Sequence, residues 1–184
     1  PPGIGKTQFC LNLCLRSLVP SSAFANGLGI SEDINTRPVN TAVIYIDTEL
    51  KFDPRRIVEI ANNLSFPLSN THTDALLGKI KVFRPTSCKE LLEFVEVSLQ
   101  GIVIETNARL IIIDSIAALT KKENLQELDK DGYLVRLAGL LKEIGDEFNC
   151  CVLLSNQIST VAAAGGASEK DQDGLFDHIP HSYV

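Results

Sequence analysis

PPGIGKTQFC, residues 1–10, decides the fold. A glycine-rich loop that runs straight into a helix aims backbone N–H groups at a phosphate, and the helix N-terminus adds partial positive charge. Gly3 and Gly5 let the backbone approach closely because they carry no Cβ. Lys6 supplies a mobile charge for the β- and γ-phosphates, and Thr7 offers a hydroxyl to Mg²⁺. The stretch Pro1, Pro2, Gly3, Ile4, Gly5, Lys6, Thr7 and Gln8 is therefore the candidate nucleotide cradle. The bland alternative is a glycine turn with a lysine there by chance, which the amphipathic helix directly behind the loop disfavours.

The full pattern G-x-x-x-x-G-K-[ST] puts another glycine one position before Pro1, and a strand before that. The 184 residues contain no methionine. Together these predict that 1–184 is a partial domain. Its first strand and first loop glycine would precede the sequence, and its final strands would follow it. A composition of 45% hydrophobic and 22% charged residues suits one globular α/β core. The net charge of −6 argues against a broad basic nucleic-acid footprint but leaves room for a local contact. Five cysteines sit inside apolar runs, which reads as reduced, buried thiols in a cytosolic or nuclear protein. No apolar run reaches membrane-spanning length and no secretory signal is visible, so no membrane partner is expected.

Working outward from the loop, residues 6–18 predict a helix carrying Phe9, Leu13 and Leu18, with Pro20 ending it. Residues 20–40 are polar and rich in breakers, a surface loop. TAVIYID (41–47), KIKVF (79–83), RLIIIDS (109–115) and CCVLLSN (150–156) read as strands. Asp53 before Pro54 marks a helix start, and Ser87 to Glu90 form a capping box ahead of LLEFVEVSLQGIVIE. Leu134, Leu137, Leu141, Ile144 and Phe148 recur at helical spacing. Strands alternating with helices give an α/β fold: a parallel sheet with helices on both faces.

Three polar residues stand where such sheets bind ligands, at the carboxyl ends of strands. Asp114 follows four apolar residues and reads as a Walker-B carboxylate acting on the Mg²⁺ shell. Glu49, just past the 41–47 strand, can orient a water for in-line attack on a γ-phosphate, or be a solvated loop residue. Gln157 can sense that phosphate or simply cap the sheet. Cys10 and Cys14 share a helix face but lack further ligands, so packing explains them better than metal. His178 and His181 have no third ligand nearby and read as chance.

Taken together, PPGIGKTQ, YIDTE, LIIIDS and LLSNQ resemble, in order and spacing, the RecA-type strand-exchange recombinases and their eukaryotic relatives. The likeness runs across nearly the whole chain and implies a RecA-like P-loop core. It implies that Glu49 activates water, that Gln157 couples nucleotide state to DNA, and that Arg56 packs on the adenine of ATP. DTELKFDPRRIVEIANNLSFP, KVFRPTSCKELLEFVE and IIIDSIAALTKKE are similar to the B-type accessory paralogues. That likeness implies a slow, DNA-dependent, Mg²⁺-requiring ATPase in the nucleus, acting in double-strand break repair by homologous recombination. Its partners would be single- and double-stranded DNA, other paralogues (notably the C-type) and the main recombinase. Leu50 stands where the main recombinase has glycine, which weighs against that identity. The DNA-facing loops of the family correspond to 119–132 and 158–180; the second is acidic, which leaves Lys121 and Lys122 as the DNA-contact candidates. The alternatives are a non-catalytic ATP-binding scaffold in a paralogue complex and another P-loop ATPase such as a RecA-like helicase. A small-molecule kinase would need an arginine-rich lid, and none is evident.

Overall fold

A computed structural model describes residues 5–19, 41–63, 70–123 and 127–156. The elements run α1 (Lys6–Leu18), β1 (Val43–Asp47), α2 (Pro54–Asn62), α3 (Asn70–Leu77), β2 (Ile80–Phe83), α4 (Cys88–Glu93), a π-helical turn (Phe94–Ser98), α5 (Leu99–Thr106), β3 (Leu110–Asp114), α6 (Ile116–Lys122), α7 (Glu127–Phe148) and β4 (Cys151–Leu154). All strand pairs are parallel, in the order β2-β1-β3-β4. The α/β expectation is met.

Central strands β1 and β3 are buried along their whole length. Because side chains alternate along a strand, each strand feeds two cores. Ile44, Ile46, Ile111 and Ile113 pack with Leu91, Val95, Leu99, Val103, Leu137 and Leu141 from the α4–α5 and α7 layer. Val43, Tyr45, Leu110 and Ile112 pack on the opposite side with Leu11, Cys14, Leu15 and Ile57 from α1 and α2. Near-continuous apolar runs are what a sheet covered on both faces requires.

The helix boundaries follow local chemistry. Asp53 caps α2 by accepting from Arg55 N–H, with Pro54 opening the helix. Asn107 closes α5 in the left-handed region at φ 50°, and Asn149 follows α7 at φ 49°, where asparagine is tolerated better than most residues. Among the described residues no helix is long and apolar enough to cross a membrane.

Five sequence expectations need correction. Ser87 does cap α4, accepting from Glu90 N–H at 3.0 Å, but the Glu90 carboxylate takes the Thr86 N–H and hydroxyl, both at 2.7 Å, rather than closing the box on Ser87. The helix after it is not uniform: a π turn interrupts it where Phe94 stacks on Phe83 from β2, ring centroids 3.8 Å apart. Phe9 is exposed, because α1 meets the sheet through Cys10, Leu11, Cys14, Leu15 and Leu18, a stripe one residue round from the expected one. Cys151 is exposed on β4, which among the described residues is paired only on its β3 side; the other four cysteines are buried. The 119–132 segment is largely helical where described, divided between the end of α6 and the start of α7.

Candidate nucleotide site

Gly5 precedes α1 at φ 86°, a conformation glycine adopts at little steric cost, and its carbonyl accepts from Phe9 N–H at 2.8 Å. This turn leaves the first amides of α1 without partners inside the helix, aimed out of its N-terminus. Lys6, Thr7 and Gln8 are half-buried there. Pro1, Pro2, Gly3 and Ile4 lie outside the described residues, as do Gln157, the acidic 158–180 segment and both tail histidines.

Beneath that helix start lies Asp114. Cys10 of α1 packs in the same core as Leu110 and Ile112 of β3, and burial, then the Asp114 carboxylate, push its thiol up to about 12. Thr7 is one turn before Cys10 and on the same helix face. Asp114 is buried, and hydroxyls hold both of its oxygens. Ser155 donates to Oδ1 at 2.5 Å, and Tyr45 donates to Oδ2 at 2.9 Å. Burial first, and then the adjacent carboxylate, raise the Tyr45 pKa, so it stays a donor. The carboxylate is thereby fixed with its oxygens at the strand end, where a cation could take them as ligands. Together with the Thr7 hydroxyl this donor set fits Mg²⁺, whose remaining ligands would be phosphate oxygens and water.

Glu49 joins the same cluster. Its Oε1 accepts from the Ser115 hydroxyl at 2.7 Å, and its Oε2 pairs with the Lys51 ammonium. The Glu49 bond and charge raise the Lys51 pKa. Ser115 occupies the N-cap position of α6 but makes no side-chain cap there; its hydroxyl serves Glu49 instead. Thr48 fastens the preceding residue to the same place, its N–H on Asp114 O at 3.1 Å and its hydroxyl on Ser115 O at 2.6 Å. At the end of β1, wholly buried Asp47 is the register partner of Asp114 and accepts from Lys51 N–H, Phe52 N–H and Arg84 Nε.

Arg56 donates from Nε to Gln8 Oε1 at 2.9 Å and pairs with Glu59. Both residues line a polar cleft of about 290 Å³ between α1 and α2, together with Asn12, Arg16, Glu59 and Asn63. Of the sequence candidates, Asp114 and Glu49 are thus joined at the strand ends through Ser115 and Thr48, Thr7 stands on the first turn of α1, and Gln8 and Arg56 pair with each other in the cleft. Lys121 and Lys122 end α6, exposed; Lys122 Nζ donates to Thr86 O at 3.2 Å. Sequence reasoning missed Tyr45, Asp47, Arg84, Ser115 and Ser155. Only Asp47 carried a signal, a carboxylate ending an apolar strand like that of Asp114.

The profile of the Rad51 family matches residues 3–175. The chain is 36% identical over 180 residues to the DNA repair protein RAD51 homolog 2 of Homo sapiens, covering 93% of this chain and 43% of that protein. It is 31% identical over 161 residues to the Arabidopsis thaliana protein of the same name, covering 86% and 40% respectively. It is 34% identical over 161 residues to the DNA repair and recombination protein RadA of Cenarchaeum symbiosum (strain A), covering 86% and 36%. The chain therefore spans less than half the length of these relatives.

Proposed function

The chain belongs to the Rad51 family, and on that premise we propose that it is the ATP-binding and ATP-hydrolysing core of a recombinase paralogue acting in DNA repair by homologous recombination. The observation that carries this reading is the Ser115–Glu49 hydrogen bond. It joins the strand end bearing Asp114 to the carboxylate proposed to activate water, so the two groups form one unit beside the start of α1. The α1 amides and Lys6 bind the phosphates. Thr7 and Asp114 would hold Mg²⁺, which when bound offsets phosphate charge. Glu49 orients the attacking water and takes its proton. Arg56 and Gln8, paired in the cleft between α1 and α2, flank the base in this reading.

Turnover is slow in this account, because both Glu49 oxygens are already engaged by Ser115 and Lys51. DNA is the proposed stimulating partner, with Lys121 and Lys122 contacting phosphates. Other paralogues, the C-type among them, and the main recombinase are the proposed protein partners, in the nucleus. The names of the relatives, which speak of DNA repair and of recombination, support this setting. The test is ATP binding and turnover by the full-length protein with and without single-stranded DNA. Lys6→Ala should weaken ATP binding roughly 10- to 100-fold, the worth of a bond to a charged group. Wild-type affinity in that variant would contradict the phosphate-loop assignment.

A further inference from the structure

Residues 48–52 form the turn that carries Glu49 from β1 towards α2, and the turn is not one the backbone favours. Leu50 sits at φ 56°, the left-handed region that side chains other than glycine's rarely occupy. Something must hold it. On the β3 side, Thr48 and Ser115 fasten the first half of the turn. On the β2 side the second half is held by Asp47. Its Oδ1 accepts from Lys51 N–H at 2.9 Å and its Oδ2 from Phe52 N–H at 3.0 Å, so one buried carboxylate spans the three residues between, Thr48, Glu49 and Leu50. Arg84, one residue beyond β2, donates from Nε to the same Oδ2 at 3.2 Å and from a terminal nitrogen to Phe52 O at 3.3 Å. The Phe52 ring rests on Tyr45, centroids 4.9 Å apart, and Tyr45 in turn holds Asp114.

We infer that Asp47 and Arg84 are positioning residues for hydrolysis: they fix the Thr48–Phe52 turn so that the Glu49 carboxylate stands at the end of β3. The inference rests on the reading of Glu49 as the water-activating base. It goes further by making the β2 end, on the far side of β1 from Asp114, part of what sets the rate. Asp47 touches neither nucleotide nor water in this account. All three of its donors belong to the turn or to Arg84, which is why it acts through the turn. Arg84 is half-exposed and can be changed with little risk to the core.

The experiment compares Arg84→Gln, Arg84→Lys, Asp47→Asn and Glu49→Gln in the full-length protein, measuring kcat, ATP dissociation constant and melting temperature. Misplacing a reacting group by about an ångström can cost up to roughly 100-fold in rate, so Arg84→Gln should lower kcat about 10- to 100-fold. ATP affinity should stay within about twofold, since the phosphate loop and the Arg56 cleft are untouched. Arg84→Lys keeps the charge and should recover part of the loss. Asp47→Asn should mimic Arg84→Gln in its split between kcat and affinity, whatever it does to melting. If Arg84→Gln turns over at the wild-type rate while Glu49→Gln is impaired, the positioning role is wrong and the reading of Glu49 stands. If Arg84→Gln loses ATP binding and turnover together, Arg84 is a general structural residue and the inference falls. If Glu49→Gln turns over at the wild-type rate, the base assignment fails and the inference fails with it.

Discussion

The two faces of the sheet are built from the same strands and end differently. On the α4–α5 and α7 side, the residues that β1 and β3 contribute are Ile44, Ile46, Ile111 and Ile113. On the α1–α2 side the same strands begin apolar, with Val43 and Leu110, and become polar towards their carboxyl ends at Tyr45, Asp47 and Asp114. Period-2 alternation puts Asp47 and Asp114 on that second face, Asp47 towards β2 and Asp114 towards β4. The difference assigns separate consequences to mutation. Changes on the first face should act on folding, and changes at the strand ends of the second should act on turnover.

The largest effect expected from that division is at Glu49. Replacing a general base typically costs 10²- to 10⁴-fold in rate, so Glu49→Gln should abolish most hydrolysis while leaving the melting temperature and ATP affinity close to wild type. Leu137, fully buried on α7 against the opposite face, should do the reverse. Leu137→Ala should destabilise the fold by about 2–5 kcal/mol, measured by denaturant unfolding, with kcat per folded molecule unchanged. A Leu137→Ala protein that keeps its stability but loses turnover would break the comparison.

Alkaline pH should act on both faces together. Burial, as the main cause, pushes the Cys10 and Cys14 thiols of α1 and Cys88 at the start of α4 up to about 12 from 9.0, and Cys150 up to about 11. The unfolded chain releases these protons at lower pH than the folded one. Their contribution is therefore complete below pH 9 and is lost as the pH rises through the folded values. Unfolding midpoints measured from pH 8 to 10.5 should fall only above about pH 9, the ordinary thiol value in this range. A flat profile would mean the thiols are not buried as described. The smallest effect lies outside the comparison, on α6. If Lys121 and Lys122 each contact a phosphate of single-stranded DNA, replacing both by alanine should flatten the log–log salt dependence of binding by about 1.4. An unchanged slope would return the pair to solvated surface.

What could be read from the sequence was what is local. The apolar runs gave β1 and β3, Asp53-Pro54 marked the start of α2, and the loop–helix junction at Gly5 and Lys6 fixed α1. Asp114 and Glu49 were visible because one ends an apolar strand and the other comes just after one. What was hidden depends on contacts between distant residues. Tyr45 reads as one more apolar strand residue, yet its hydroxyl crosses 69 positions to Asp114, and Arg84 reaches back 37 positions to Asp47. Ser115 looks like an ordinary helix cap, and only its rotation towards Glu49 reveals its task. Phe9 misled because a helix stripe can be shifted by one residue without changing its period.

The central claim is that hydrolysis is organised where Thr7, Glu49 and Asp114 meet. Its most direct test is a crystal structure of the full-length protein with Mg²⁺ and a non-hydrolysable ATP analogue. The account predicts the γ-phosphate at the N-terminus of α1, the metal between Thr7 and Asp114, and a water hydrogen-bonded to Glu49 in line with the bond to be broken. A nucleotide bound elsewhere, or a Glu49 carboxylate that stays on Lys51 with no water between it and the phosphate, would contradict it.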